Sequence, residues 1–361
     1  MFLLSILLSV FIMHYTVIAW TCLNIPNLNC GQRSLFLLAM LFSVFFIASM
    51  ALSRASGGSF IIAFRTAVYI WLGALFLWFS FIVCVMFAQL ILTALKIKIN
   101  FGLGLPVCAL AVIISILSVL NAARVPSLKI INLKSDKIDR PLTIAQITDT
   151  HLGEGISAGR LQKMFDKIAG QNADIIVFTG DIFERNGGDV RGDIEIIKNA
   201  KPPCGKYAVM GNHEYYGGFE RNLELWREAG ITPLLNSSVE TCGINLVGVN
   251  DIKTTRMSEN DFAKIIKKSD TSKWTLLLSH TPLYYEEAAG AGVDLMLSGH
   301  THNGQLWPFN LLVRTQFKHM YGAYKAAGGN FVHYVSAGAF YWGPPMRFLT
   351  YNEVPVFTIE P

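Results

Sequence analysis

No aspartate or glutamate occurs in the first 120 residues, one third of a 361-residue chain. A water-facing surface needs charge, and about a quarter of an ordinary soluble domain is charged. This stretch instead holds four apolar runs, Leu3–Trp20, Leu35–Leu52, Thr66–Leu95 and Phe101–Leu120. Crossing ~30 Å of hydrocarbon as a helix takes about 20 such residues. Trp20, Tyr69 and Trp71 lie near run ends, where amphipathic rings favour the membrane interface. Residues 1–20 have neither a basic leading region nor a small-x-small cleavage site, so they read as a retained span. The expected organisation is a membrane domain at 1–120 with four transmembrane helices, a basic linker at 121–140 and a further domain at 141–361.

The five basic residues of the first region are Arg33, Arg54, Arg65, Lys96 and Lys98. With four spans, both chain ends share one side. That side collects Arg54, Arg65, Arg124, Lys129, Lys134, Lys137 and Arg140, against Arg33, Lys96 and Lys98 opposite. An excess of Lys and Arg marks the cytoplasmic face, so the C-terminal domain of a multi-pass cell-membrane protein is expected in the cytoplasm. Beyond residue 120 the chain carries 25 basic and 25 acidic residues, so the net +5 comes from the apolar region. Nucleic-acid binding needs Lys and Arg clustered on a folded face, and no such partner is expected. Cys22 and Cys30 share the first, extracytoplasmic loop and can form a disulfide; a Cys204–Cys242 disulfide would speak for the opposite orientation.

From Leu142 onward, short apolar runs alternate with amphipathic stretches, the pattern of stacked βαβ units. Strands are expected at Leu142–Thr148, Ile175–Thr179, Tyr207–Met210, Ile244–Val249, Thr275–Ser279 and Leu295–Ser298. Phe331–Ser336 and Val354–Ile359 alternate like antiparallel strands. Ser157 is placed to cap a helix bearing Leu161, Phe165 and Ile168, and another helix is expected around Glu259–Lys268.

Polar residues follow five of these strands: Asp149-Thr150-His151, Asp181, Asn212-His213, His280 and His300-Thr301-His302. Open α/β sheets gather ligands beyond the carboxyl ends of their strands, so the set can converge. It takes five of the eight histidines; His14 falls in a span, and His319 and His333 stand in no motif. Imidazole nitrogen and carboxylate oxygen suit Zn, Mn or Fe. A carboxylate can bridge two ions ~3.5–4 Å apart, a pair that clamps both oxygens of an in-line displacement and lowers the pKa of bound water to about 7. Phosphoester hydrolysis is the reaction class such a set serves.

In chain order, D-x-H (149–151), G-D (180–181), G-N-H-E (211–214), His280 and G-H-T-H (299–302) resemble the calcineurin-like metallophosphoesterases over residues 141–360. Residues 299–305 and 343–347 resemble the bacterial YkuE-like branch, where the first usually reads G-H-T-H-G-G-Q; Asn303 departs from it outside the ligand positions. The resemblance implies an α/β fold, a four-layer α/β/β/α sandwich, here preceded by four transmembrane helices. It also implies two divalent cations per chain. Asp149, His151 and His302 would hold one, Asn212, His280 and His300 the other, with Asp181 bridging. His213 would act at the scissile phosphate as general acid or hydrogen-bond donor. The expected function is a membrane-anchored phosphoesterase cleaving phosphodiester, phosphomonoester or pyrophosphate bonds with metal-activated hydroxide. Tethering makes lipid-linked phosphoesters candidate substrates. A catalytically silent metal-binding scaffold or sensor is the alternative, although the chain keeps every ligand such proteins lose. No residue is assigned to substrate: Arg347 suits a phosphate contact and a rigid turn equally, and Tyr215, Tyr216, Tyr284 and Tyr285 read as rim packing.

Overall fold

The computed structural model describes residues 2–28, 30–53, 59–97, 102–153, 155–184, 188–325 and 330–361; Arg54 and Lys98 of the charge count lie outside them. Two compact units result. One comprises Met1–Ala123 with Leu306–Pro308 and Gly343–Phe348, the other Arg124–Gln305 with Phe309–Trp342 and Leu349–Pro361.

The first unit contains helices α1 (Phe2–Asn24), α2 (Gln32–Ser53), α3 (Ser59–Ala94) and α4 (Gly104–Ala122). Each is long and apolar enough to cross a membrane. Their outward faces expose Leu8, Leu41, Phe45, Phe87, Leu90 and Leu117, an apolar surface too large for a soluble monomer. Inward, Val10, Val17, Trp20, Phe46, Val68, Leu75, Ile82 and Val107 make the core. His14 is buried among them: its Nδ1 donates to the Val10 carbonyl at 2.9 Å and its Nε2 accepts from Trp71 Nε1 at 3.1 Å. A neutral imidazole is thereby satisfied on both nitrogens and ties α1 to α3. The α1 helix outruns its apolar run because backbone bonding continues through the flanking residues, the Ile25 N–H donating to the Thr21 carbonyl at 3.0 Å, and the Asn24 side chain also donates to the Trp20 carbonyl at 2.8 Å. Leu306 and Met346 pack with Leu77 of α3, and the Arg347 N–H donates to the Ser118 carbonyl at 2.9 Å. Cys22 and Cys30 are disulfide-bonded, Cα to Cα 5.9 Å.

The second unit opens with β1 (Ser127–Lys134), β2 (Leu142–Ile147), α5 (Ala158–Ala169), β3 (Ile175–Phe178), α6 (Arg191–Asn199), β4 (Lys206–Ala208), α7 (Asn212–Gly217), α8 (Phe219–Glu228) and β5 (Thr232–Pro233). It continues with β6 (Ser237–Thr241), β7 (Ile244–Gly248), α9 (Ile252–Thr255), α10 (Glu259–Lys267), β8 (Thr275–Leu278), α11 (Tyr285–Gly290) and β9 (Leu295–Ser298). Last come α12 (Phe309–Gln316), β10 (Gly322–Lys325), β11 (Val332–Val335) and β12 (Glu353–Glu360). Two six-stranded sheets form, in the orders β1-β12-β2-β3-β4-β5 and β10-β11-β9-β8-β7-β6. Ile144, Ile175, Val177, Leu246, Leu276, Leu278, Leu295 and Leu297 fill the space between them. Helices cover the outer faces: α10 and α11 pack Phe262, Ile266 and Ala288 on Val247, Leu277 and Met296, while α5 buries Leu161, Met164, Phe165 and Ile168. The result is a four-layer α/β/β/α sandwich of mixed sheets.

Three expectations change. The stretch 121–140, read as a linker, holds β1, paired in parallel along all eight residues with β12. Lysines disguised it: Lys134 points away from the face on which Ile131 and Leu133 pack against the core, and Lys129 shares that face but reaches out to the Tyr321 hydroxyl at 3.3 Å. β4 is shorter than Tyr207–Met210, since its chain leaves the sheet early. β11 and β12 are antiparallel to β10 and β2 but parallel to β9 and β1, and they are almost wholly buried.

Leu276→Ala should lower unfolding free energy by about 2–5 kcal/mol through the cavity it leaves. Ile130→Ala, at a half-exposed site on β1, should cost under about 0.5 kcal/mol. Chemical unfolding of the full-length protein in detergent, followed by fluorescence, measures both; similar losses would refute the placement of the core.

Candidate metal centre

Every motif residue lies just beyond the carboxyl end of a strand: Asp149 after β2, Asp181 after β3, Asn212 after β4, His280 after β8 and His300 after β9. Beneath them, buried Gln146 joins the two sheets, its Nε2 donating to Thr179 Oγ1 and to the Ser298 carbonyl, both at 2.9 Å. Turns that aim side chains back over the sheet ends require unusual backbone. Asp149, His151, Asp181, His300 and His302 all have φ between 45° and 70°, left-handed conformations that non-glycine residues adopt at a cost, typically at functional sites. Two motif glycines permit the close approach. A Cβ at Gly299 would strike Thr148 and the Asp149 carboxylate, and one at Gly211 would strike the Asp181 carboxylate.

Two groups of donors form. Asp149, His151 and His302 make one: His302 Nε2 lies 3.2 Å from His151 Nε2 and 3.3 Å from Asp149 Oδ1. Asp181, His280 and His300 make the other: His280 Nε2 lies 3.2 Å from both Asp181 Oδ2 and His300 Nδ1. Asn212 Oδ1 joins this second group, 3.2 Å from His280 Nε2. The Asp181 carboxylate lies with the second group, while its backbone carbonyl accepts from the His151 N–H at 3.1 Å.

Hydrogen bonding fixes which ring nitrogens face inward. His280 Nδ1 sits 2.7 Å from the Thr179 carbonyl, which only accepts, so Nδ1 carries a proton, and in the neutral ring Nε2 presents its lone pair to two oxygens. Lone pairs facing one another in a buried recess repel unless a proton or a cation lies between them. A divalent cation is what this donor set fits: His280 and His151 have their outer nitrogens committed to the Thr179 carbonyl and to Glu184, the arrangement that orients metal-binding histidines.

The titration behaviour carries the same strain. Burial pushes the Asp149 carboxyl above its ordinary value. Burial acts likewise on Asp181, but the His280 charge holds that carboxyl well below its usual range. Burial opposes charge on His280, yet Asp181 raises it well above an ordinary histidine. His300 falls to about 4, through burial and then repulsion from His280.

Two glutamates brace the recess. Glu184 Oε1 lies 2.5 Å from His151 Nδ1 and 2.6 Å from His213 Nδ1. Burial would raise its carboxyl, but the hydrogen bonds from those two rings bring it down to about 2. Sequence reading passed Glu184 over; its one signal was an acidic side chain three residues beyond the G-D turn. Glu214 accepts backbone N–H groups from Gly211 and Asp181 at 2.8 Å and from Ile182 at 2.6 Å, locking two motif turns together. Burial, then the Asp181 charge, lift it to about 7.

His213 is partly buried at the edge of the recess, its ring 5.7 Å from Trp342 and 5.6 Å from Tyr216. Of the tyrosines read as rim packing, Tyr216 meets His213, Tyr284 packs on Phe262, Tyr285 stacks on His319 and Tyr215 packs on Phe219. Arg347 is buried and belongs to the helical unit. His319 and His333, which stood in no motif, bond to each other through their Nδ1 atoms at 2.9 Å.

Residues 142–304 match the family model of the calcineurin-like phosphoesterases. A protein of Helicobacter pylori named an uncharacterized metallophosphoesterase is 36% identical over 239 residues, 65% of this chain and 64% of its own length. The chain therefore spans just under two thirds of that relative. A Campylobacter jejuni protein of similar name is 32% identical over 272 residues, 74% of this chain and 71% of its own. A Danio rerio protein named as a transmembrane protein with metallophosphoesterase domain is 28% identical over 259 residues, 67% and 59% of the two chains. With its donors gathered at strand ends and these relatives beside it, the chain belongs to the calcineurin-like metallophosphoesterase family.

Proposed function

We propose that this chain is a membrane-anchored phosphoesterase, cleaving phosphodiester, phosphomonoester or pyrophosphate bonds at a dinuclear metal centre. The observation that carries the reading is the pair of buried donor clusters, joined where the His300 N–H donates to the Asp149 carboxylate at 3.1 Å. In this reading Asp149, His151 and His302 hold one cation, Asn212, His280 and His300 hold the second, and Asp181 joins them. When bound, Mn, Zn or Fe ions supply positive charge at the phosphoryl oxygens and bring the pKa of water toward neutrality.

Hydrolysis adds water across one P–O bond: the water oxygen joins phosphorus, and the ester oxygen leaves carrying a proton. His213 is the residue suited to deliver that proton. Glu184 at 2.6 Å holds its Nδ1, which turns Nε2 toward the substrate side. Burial works against a charged His213, but the Glu184 hydrogen bond outweighs it and raises the imidazole above its ordinary value. A proton is thus available near neutral pH. Glu184 also holds His151, so one carboxylate positions a cation ligand and the proton donor together.

Anchoring by α1–α4 is the second half of the proposal, supported by their length and apolar outward faces. Cys204 and Cys242 are placed for a disulfide as Cys22 and Cys30 are, Cα to Cα 5.9 Å in each pair. In the four-span reading three spans separate the two pairs, which puts them on opposite sides of the bilayer, and only one side is oxidising, so only one pair is linked in the cell. The charge count favours a cytoplasmic catalytic unit, with Cys22 and Cys30 as the linked pair.

Chelation of the full-length protein in detergent should abolish hydrolysis of bis(4-nitrophenyl) phosphate, and Mn²⁺ should restore it. His213→Ala should lower kcat about 10²–10⁴-fold with metal content unchanged. Full activity in that variant removes His213 from the reaction, and full activity in Asp181→Ala removes the bridge.

Glu184→Gln should weaken metal binding about 10–100-fold. It also removes the charge that raises His213, so the alkaline limb of kcat should move to lower pH. An unmoved limb, with metal saturating, would separate Glu184 from His213.

Peptide mapping without reductant, on protein alkylated in intact cells, should find Cys22 linked to Cys30 and Cys204 and Cys242 as thiols. The reverse pattern turns the catalytic unit to the other face; two linked pairs would refute the four-span count.

A further inference from the structure

Packing within the second unit leaves helix α12 unexplained. None of its eight residues is buried, although three of them are large and apolar: Phe309, Leu311 and Leu312 are 47%, 55% and 59% exposed. A helix in water normally turns such residues inward. Other exposed apolar side chains lie nearby. Gln305 is the hub: its side-chain amide bonds the backbone of Trp342 in both directions at 3.0 Å, and its carbonyl accepts from Thr350 Oγ1 at 3.0 Å. Trp342 is 53% exposed, and Leu349 and Tyr351, which flank Thr350, are 63% and 61% exposed. Asn310 of α12 abuts Gly304, next to Gln305. The Trp342 ring in turn faces His213. These residues therefore form one apolar rim beside the metal centre.

The chain itself says what covers this rim. α12 begins at the residue after Pro308, and Leu306–Pro308 belong to the transmembrane unit, where Leu306 packs with Leu77 of α3. Trp342 and Leu349 likewise bracket Gly343–Phe348, the other segment of that unit, where Met346 packs in the same cluster. Three of the four chain crossings between the rim and the membrane helices thus start or end on an exposed apolar residue. Polar side chains follow at the far end of α12: Arg314 and Gln316, then Lys318. Apolar contact flanked by cationic residues is the composition of a segment lying in the headgroup layer.

We propose that α12 with Trp342, Leu349 and Tyr351 is seated on the bilayer, and that the metal centre takes phosphoesters whose apolar part stays in the membrane. The substrate class is an amphiphile with its scissile phosphate in the headgroup layer. This rests on the phosphoesterase reading and deepens it.

The test uses the full-length protein in phospholipid nanodiscs with Mn²⁺. Two probes are compared: soluble bis(4-nitrophenyl) phosphate and a diacylglycerol 4-nitrophenyl phosphodiester carried in the disc. Leu311→Glu with Leu312→Glu touches no ligand and should leave the soluble reaction within about twofold. Turnover of the lipid-borne ester should fall at least about tenfold, the effect of ~1.4 kcal/mol of lost interfacial contact. Unchanged lipid turnover, or an equal loss on both probes, overturns the inference. Independently, a benzophenone side chain at position 312 should cross-link to acyl chains; cross-links only to protein, including a second copy, overturn it. A wild type inactive on the soluble ester fails the phosphoesterase reading, and the cross-linking arm then still decides whether the rim meets lipid.

Discussion

The centre depends on one electrostatic constraint: lone pairs of imidazoles and carboxylates are forced to face one another out of water. His280 Nε2 meets Asp181 and Asn212 oxygens at 3.2 Å, and its other nitrogen is committed to the Thr179 carbonyl, so the ring cannot turn away. Such an arrangement is unfavourable by itself, and the fold supplies what sustains it. Five residues in left-handed backbone cost about 1–3 kcal/mol each in general, and the two packed sheets over-determine them. Gln146 couples the sheets below, and Glu214 ties the G-D and G-N-H-E turns above. A divalent cation held among such donors would convert the repulsion into attraction.

The donor set was legible in the sequence because candidate ligands punctuate strands: an apolar run ends and a polar residue follows within a few positions. Turn chemistry and strand ends are local, and so is the acid-free character of α1–α4. Glu184 was not legible, because its role depends on two histidines 33 residues before it and 29 residues after it meeting at one oxygen. β1 was hidden for a related reason. Its lysines read as linker charge, and only its pairing with β12, more than 200 residues later, makes it a strand.

The two glutamates divide a task that a single acid could not perform. Glu184 receives ring protons and is held ionised, with its carboxyl near 2. Its folded value is depressed, so its stabilisation is present above the ordinary carboxylate range and is lost as pH falls toward 2. Glu214 is raised to about 7, with burial and the Asp181 charge working together. It accepts three backbone N–H groups, a role that needs oxygen lone pairs more than net charge. Its raised value makes ionisation of Glu214 a cost to the folded state that accumulates as pH rises from the ordinary carboxylate range to about 7 and stays constant above it, unless positive charge near Asp181 offsets it. Cation binding and the shape of the two turns are thereby coupled through one buried carboxylate. Asp181 and Glu184 are held ionised by the imidazoles beside them; Glu214 is held by backbone N–H groups instead, and a cation held next to Asp181 would supply the charge that favours its ionised form.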